Sequence, residues 1–144
     1  MALTARWHGD ETRWLALRLL PGEDLRAELE AAFASAREEE AMSAGFVAAC
    51  CGSLHSAALR PAGRDEPLQV PGPLEIVSLS GTLSLDGPHL HMAVSDEEGV
   101  MRGGHLLAGC EIRTTAEIVL GLTGAARFHR PLDVRTGWRE LDFG

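Results

Sequence analysis

The chain has 144 residues, 45% of them hydrophobic, with 13 basic and 21 acidic side chains and a net charge of -8. That is one domain's length with enough apolar material for a core, and too much for a disordered chain. The acidic balance works against binding a phosphate polyanion such as nucleic acid. Every cation is an arginine, and the arginines are scattered without a basic run.

Cys50 and Cys51 lie in an apolar stretch, and with Cys110 they make no disulfide framework. Both are expected to be buried thiols in a reducing cytosol. The N-terminus has no basic region followed by an apolar run, so no signal peptide is expected and the location is read as cytoplasmic. No apolar segment is long enough to span a membrane.

Residues 13–20 alternate between two faces and predict a first strand, ended by Pro21-Gly22. Glu23 and Asp24 then open a helix by complementing its dipole. Leu25, Leu29, Ala32, Phe33 and Ala36 form its apolar stripe, and the glutamates fall on a solvated face. Gly45 is the expected C-cap. Residues 46–51 predict a short strand buried on both faces, interrupted at Gly52-Ser53 and followed by a strand over 54–59.

Residues 61–73 hold four of the seven prolines and predict a loop, with 68–70 as a short edge strand. Residues 74–85 read as one strand or two joined at Gly81. Asp86-Gly87 is a hairpin signal, 88–94 the return strand, and residues 96–99 another turn. Residues 100–110 carry Gly103-Gly104 and fit no pattern well. Residues 111–122 read as the last strand. Isolated apolar residues in the tail (Phe128, Trp138, Leu141, Phe143) are expected to dock it on the domain or a neighbouring subunit.

The fold class is therefore α+β: one domain over 1–144, core about 12–122, tail 123–144. It has a largely antiparallel sheet of six to eight strands, one long helix and at most a second short one.

Three of the six histidines form the chemical constellation. His89 and His91 are two apart on a strand and share a face. A turn centred near residues 97 and 98 brings His105 beside them. Three imidazoles suit a divalent metal, zinc first, with nickel or cobalt as alternatives, and they leave a fourth position open for a small ligand. His55, on the strand 54–59, is a candidate neighbour. His8 and His129 read as surface residues. A hydrolytic centre would also need a general base, for which Glu75 and Glu117 are the candidates. No P-loop, G-x-G-x-x-G or G-x-S-x-G motif occurs. Cys50 has apolar neighbours and is discounted as a nucleophile.

Several stretches together resemble the PPC family (plants-and-prokaryotes-conserved, also called PCC). They are Leu17-Arg-Leu-Leu-Pro-Gly-Glu-Asp-Leu, Ala49-Cys-Cys-Gly-Ser-Leu-His-Ser-Ala-Ala-Leu-Arg and Gly72-Pro-Leu-Glu-Ile-Val-Ser-Leu-Ser-Gly-Thr-Leu. The most specific runs from Pro88-His-Leu-His-Met-Ala-Val-Ser-Asp into Gly99-Val-Met-Arg-Gly-Gly-His-Leu-Leu-Ala-Gly-Cys. Thr115-Ala-Glu-Ile-Val-Leu follows, then Phe128 and Thr136-Gly-Trp-Arg-Glu-Leu.

The resemblance implies an antiparallel sheet with flanking helices, packed as a homotrimer. It also implies that His89, His91 and His105 occupy histidine positions that in prokaryotic members look like a metal site. In plant members the domain follows AT-hooks and mediates partner binding, so the alternative reading is a DNA-binding or protein-interaction regulatory module without catalysis. This chain has no Arg-Gly-Arg-Pro AT-hook and is acidic, so direct DNA binding is not expected. The expected partners are its own copies and a small molecule at the metal site, with no membrane.

Overall fold

The computed structural model describes residues 1–144. After a 3-10 turn at Gly9–Glu11, the elements run β1 (Thr12–Leu19), α1 (Leu25–Glu40), β2 (Ala44–Arg60), β3 (Leu68–Ser84), β4 (Gly87–Ser95), β5 (Met101–Leu106) and β6 (Ile112–Thr123). A small hairpin, β7 (Leu132–Asp133) and β8 (Trp138–Arg139), closes the chain. The main sheet is antiparallel throughout, in the order β1-β6-β2-β3-β4-β5. No helix is long and apolar enough to cross a membrane.

The end of β2 also pairs with β5, Leu59 opposite Leu106 and Arg60 opposite His105. Strands β2 to β5 thus curl until the last meets the first, and this closure carries Arg60 to the histidine strand. Gly104 permits the approach, because a Cβ there would sit 2.6 Å from the Arg60 carbonyl oxygen.

The core lies between α1 and the inner face of the sheet. Leu25, Leu29, Phe33 and Ala36 of the predicted stripe are buried. They pack with Leu54, Leu59, Ile118 and Leu120, among others. Removing each large side chain from water contributes roughly 1.5–3 kcal/mol. Asp24 is the N-cap, accepting from the Ala27 amide at 3.0 Å. Its other oxygen accepts from Gly109 and Cys110, both at 2.8 Å, tying the helix start to the β5–β6 loop. The helix ends at Ala41 in the left-handed region (φ 56°) rather than at the expected Gly45, which is already in β2.

Two strands are longer than the sequence suggests. β2 is one 17-residue strand, not two. Gly52 continues it where Thr115 and Ala116 come too close for a side chain, a Cβ there meeting the Thr115 oxygen at 2.5 Å. The register instead shifts at bulges between Val47 and Ala49 and between Gly52 and Leu54. β3 begins at Leu68 and runs through the prolines. Its first residues pair with β2 alone, because β4 joins only from Glu75 onward. A free edge tolerates proline, which has no amide to donate.

The expectation that residues 46–51 are buried on both faces is corrected. Ala48, Ala49 and Cys51 are exposed, and Cys50 is half-buried. Only one face of β2 meets the core; the other faces outward with Trp14 and Ala16 of β1. Cys110 is the buried thiol, and burial pushes it up to about 11.

The tail docks on its own domain. Phe128 is buried with Ala44 and Ala126, and Trp7, Leu141 and Phe143 pack on them. Trp138 does not dock and is 65% exposed. His129 is half-buried rather than a surface residue, bridged through its backbone to Asp142.

Candidate metal centre

On β4, Leu90, Met92 and Val94 point into the core and are at most 3% exposed. The two-residue alternation therefore turns His89 and His91 outward together. The Asp96 side chain organises the following turn, accepting from the Glu98 and Val100 amides. These bonds hold its carboxyl below the usual range. The hairpin returns so that His91 stands directly opposite His105, the register the sequence predicts.

The three ring centroids lie 5.0, 5.1 and 4.5 Å apart. One nitrogen from each ring falls within 4.8 Å of the others. Zinc–nitrogen bonds of about 2.0–2.1 Å in a tetrahedron place ligand nitrogens roughly 3.3 Å apart. Side-chain rotations that draw the rings together by an ångström or so therefore suffice, and the donor set fits the ion.

The electrostatics of His89 and His105 favour the neutral ring, the form that ligates metal. His89 is held below the ordinary histidine pKa mainly by burial, then by Arg130 and the other two imidazoles. His105 is lowered by burial first and then by Arg60.

Arg130 makes a specific contact: its Nη2 lies 2.9 Å from His89 Nδ1. A guanidinium only donates, so Nδ1 accepts and the neutral ring carries its proton on Nε2. A metal at His89 must then take Nδ1 in place of Arg130, or the ring must turn. Arg130 is 8% exposed, donates to the Arg139 carbonyl at 3.0 Å and faces Glu140 at 3.7 Å.

A cavity of about 700 Å³ opens beside the rings, lined by His89 and His105 with residues of the β2–β3 loop and the C-terminal hairpin. His55, Glu75 and Glu117 lie outside the three-histidine group. His55 and Glu75 are exposed elsewhere on β2 and β3. Glu117 stands opposite Cys51 and Arg18 on the outward sheet face, lining a different cavity. The site's arginines were not legible in the sequence. Arg60 arrives through the β2–β5 closure, and Arg130 from 41 residues beyond His89.

A curled antiparallel sheet with one helix on its inner face, carrying three imidazoles on an outward hairpin, defines a single α+β domain with a surface histidine centre. Residues 8–123 match the Plants and Prokaryotes Conserved (PCC) domain, and the chain belongs to that family. It is 50% identical over 125 residues to the bifunctional protein GlmU of Synechococcus sp. (strain JA-3-3Ab), a match covering 87% of this chain and 20% of that protein. The chain thus spans about a fifth of the length of that curated relative. A hypothetical protein of Salmonella enterica shares the fold with a TM-score of 0.85 and 43% identity, over 92% of this chain and 94% of that one. A metal-containing protein from Archaeoglobus fulgidus aligns with a TM-score of 0.70 and 29% identity, over 90% and 93% of the two chains.

Proposed function

We propose that this chain is a trimeric metal-binding domain in which His89, His91 and His105 hold one divalent transition metal, zinc first. The observation that carries the reading is the convergence of three ring nitrogens within 4.8 Å on one outward face. The metal-containing relative from Archaeoglobus fulgidus supports it. Three protein ligands leave a position for an exogenous ligand, and a bound zinc would act there as a Lewis acid. No carboxylate joins the three rings, and Glu140, in the cavity lining, is paired with Arg130. The reading is therefore a binding or sensing centre rather than a hydrolase.

The trimer rests on the outward face of β1, β6 and β2. Trp14 is 63% exposed there, and the apolar surface continues through Ala16, Ala49, Cys51 and Val119 around a shallow cavity, with the facing pair Arg18 and Glu117 as its charged residues. Contiguous apolar surface of this kind marks an interaction site, and the family resemblance points to further copies of the chain as its occupant. A cytoplasmic location suits three free thiols.

The test of the metal reading is cobalt(II) titration of the chelator-treated protein. A tetrahedral visible spectrum that saturates at one equivalent and is displaced by zinc supports the site. A spectrum unchanged by His91→Ala would place the ion elsewhere.

A further inference from the structure

The cavity beside the histidines has a charge opposite to the protein's. The chain carries a net charge of -8, yet five of its thirteen arginines line this one cavity: Arg26, Arg60, Arg64, Arg130 and Arg139. Only two carboxylates, Asp65 and Glu140, join them. Three of the arginines are partly committed. Arg26 pairs with Glu30 at 2.8 Å, Arg130 faces Glu140, and Arg139 donates to the Arg130 carbonyl at 3.2 Å. Arg60 and Arg64 have no acidic partner. Arg60 is held on the histidine strand's own pairing partner, directly opposite His105.

Guanidinium groups with unsatisfied donors, gathered in a concave site, match the paired oxygens of phosphate and carboxylate. They also repel one another, a cost that a bound anion would offset. At about 700 Å³ the cavity is far larger than a bare ion and suits a small organic molecule. Leu106, Leu107 and the exposed indole of Trp138 supply apolar wall for such a body.

We propose that this cavity binds a small organic anion through a phosphate or carboxylate group held by Arg60 and Arg64, next to the open position of the histidine-bound metal. The proposal rests on the metal reading for the second contact only; the arginine contact stands without it. Metal and anion then favour each other reciprocally, because the anion offsets the positive charge of Arg60, which stands opposite His105, and of Arg130, 2.9 Å from His89.

The test is calorimetric titration with inorganic phosphate and with succinate, two weak zinc chelators that separate the phosphate source from the carboxylate source. It is run at low ionic strength on the zinc-loaded and the metal-free protein, with zinc content measured after each titration. At least one probe should bind the zinc-loaded chain with a dissociation constant on the order of 1 mM. The Arg60→Gln/Arg64→Gln variant should bind it about tenfold more weakly, as expected for losing charge-assisted hydrogen bonds, with a zinc content no lower than wild type. Failure of both probes on wild-type protein, or equal binding by the variant, would overturn the proposal while leaving the zinc content to judge the metal site. Arginine-dependent binding by a chain that never takes zinc would support the anion site and remove the metal.

Discussion

At His89 a guanidinium already occupies the lone pair that a metal would need. Arg130 donates to Nδ1, so a metal that uses this ring must displace the guanidinium or turn the imidazole away from it. A hydrogen bond to a charged group is worth about 1.5–3 kcal/mol, so removing it should tighten metal binding by roughly tenfold or more. The Arg130→Gln variant should therefore take up zinc more tightly than wild type in a competition assay against a chromogenic chelator. Weaker uptake would mean that Arg130 orients His89 rather than blocking it.

The same rings give the metal-free protein a pH dependence. His89 and His105 are lowered in the folded state, so between their folded values and the ordinary histidine value of about 6.5 the unfolded chain binds more protons. Their contribution is intact above that range and is lost as pH falls through it. Urea midpoints of the metal-free chain should drop between neutral pH and pH about 5.5, and less steeply in a His89→Gln/His105→Gln variant. An identical slope in the two proteins would show that other groups carry the effect. Arg130 gives no signal in the sequence because its contact joins the hairpin to the tail, and neither segment has a pattern that predicts the other.

Among the elements, strand β4 and the turn after it are the most legible, because local chemistry sets them, whereas β5 (Met101–Leu106) falls in a stretch that fits no pattern by itself. Alternation fixes the face of His89 and His91, and the Asp96–Gly99 turn fixes the register that sets His105 opposite His91. Helix α1 was equally clear from its stripe, although the role of Asp24 was not. The sequence shows an acid in a first turn, whereas the structure shows one carboxylate serving three amides from two segments. Asp24→Ala should cost roughly 2–3 kcal/mol, combining a lost cap with stranded donors. Asp24→Asn should recover part of it, both read from urea unfolding; a loss below about 0.5 kcal/mol, the range of a neutral surface change, would contradict the tie.

The long strands were misread for the opposite reason. Gly52-Ser53 and the Pro71–Pro73 segment look like breaks, and their real meaning depends on what lies beside them. Gly52 answers the close approach of β6, and the prolines sit where β3 has no partner on its β4 side. The β2–β5 closure that delivers Arg60 is a non-local pairing that no local pattern encodes.

For the whole molecule, the outward apolar face is the feature the isolated chain leaves unexplained. The apolar run at residues 46–51 had suggested burial on both faces, yet Ala48, Ala49 and Cys51 are open. A subunit interface would reconcile the two. Ala49→Arg leaves the core untouched, so the subunit should fold with a stability change within about 0.5 kcal/mol where no neighbour contacts it. It should, however, shift the mass in light scattering from three chains to one. Cys51 should be alkylated slowly in the wild-type assembly and quickly in this variant. Cys50 and Cys110, whose thiols burial pushes up to about 11, should react slowly in both. A monomeric wild-type protein would remove the trimer and require another occupant for the face.

Whether the histidine centre holds a metal is decided by elemental analysis of protein purified without added metal or chelator. About one zinc per chain should be present, falling at least about tenfold in His91→Ala, as expected when a three-ligand site loses a ligand. A wild-type chain that contains no transition metal and takes up none when offered zinc would contradict the metal reading. The three imidazoles would then be outward-facing residues of a hairpin, and the arginine-lined cavity a candidate binding site that stands without a metal.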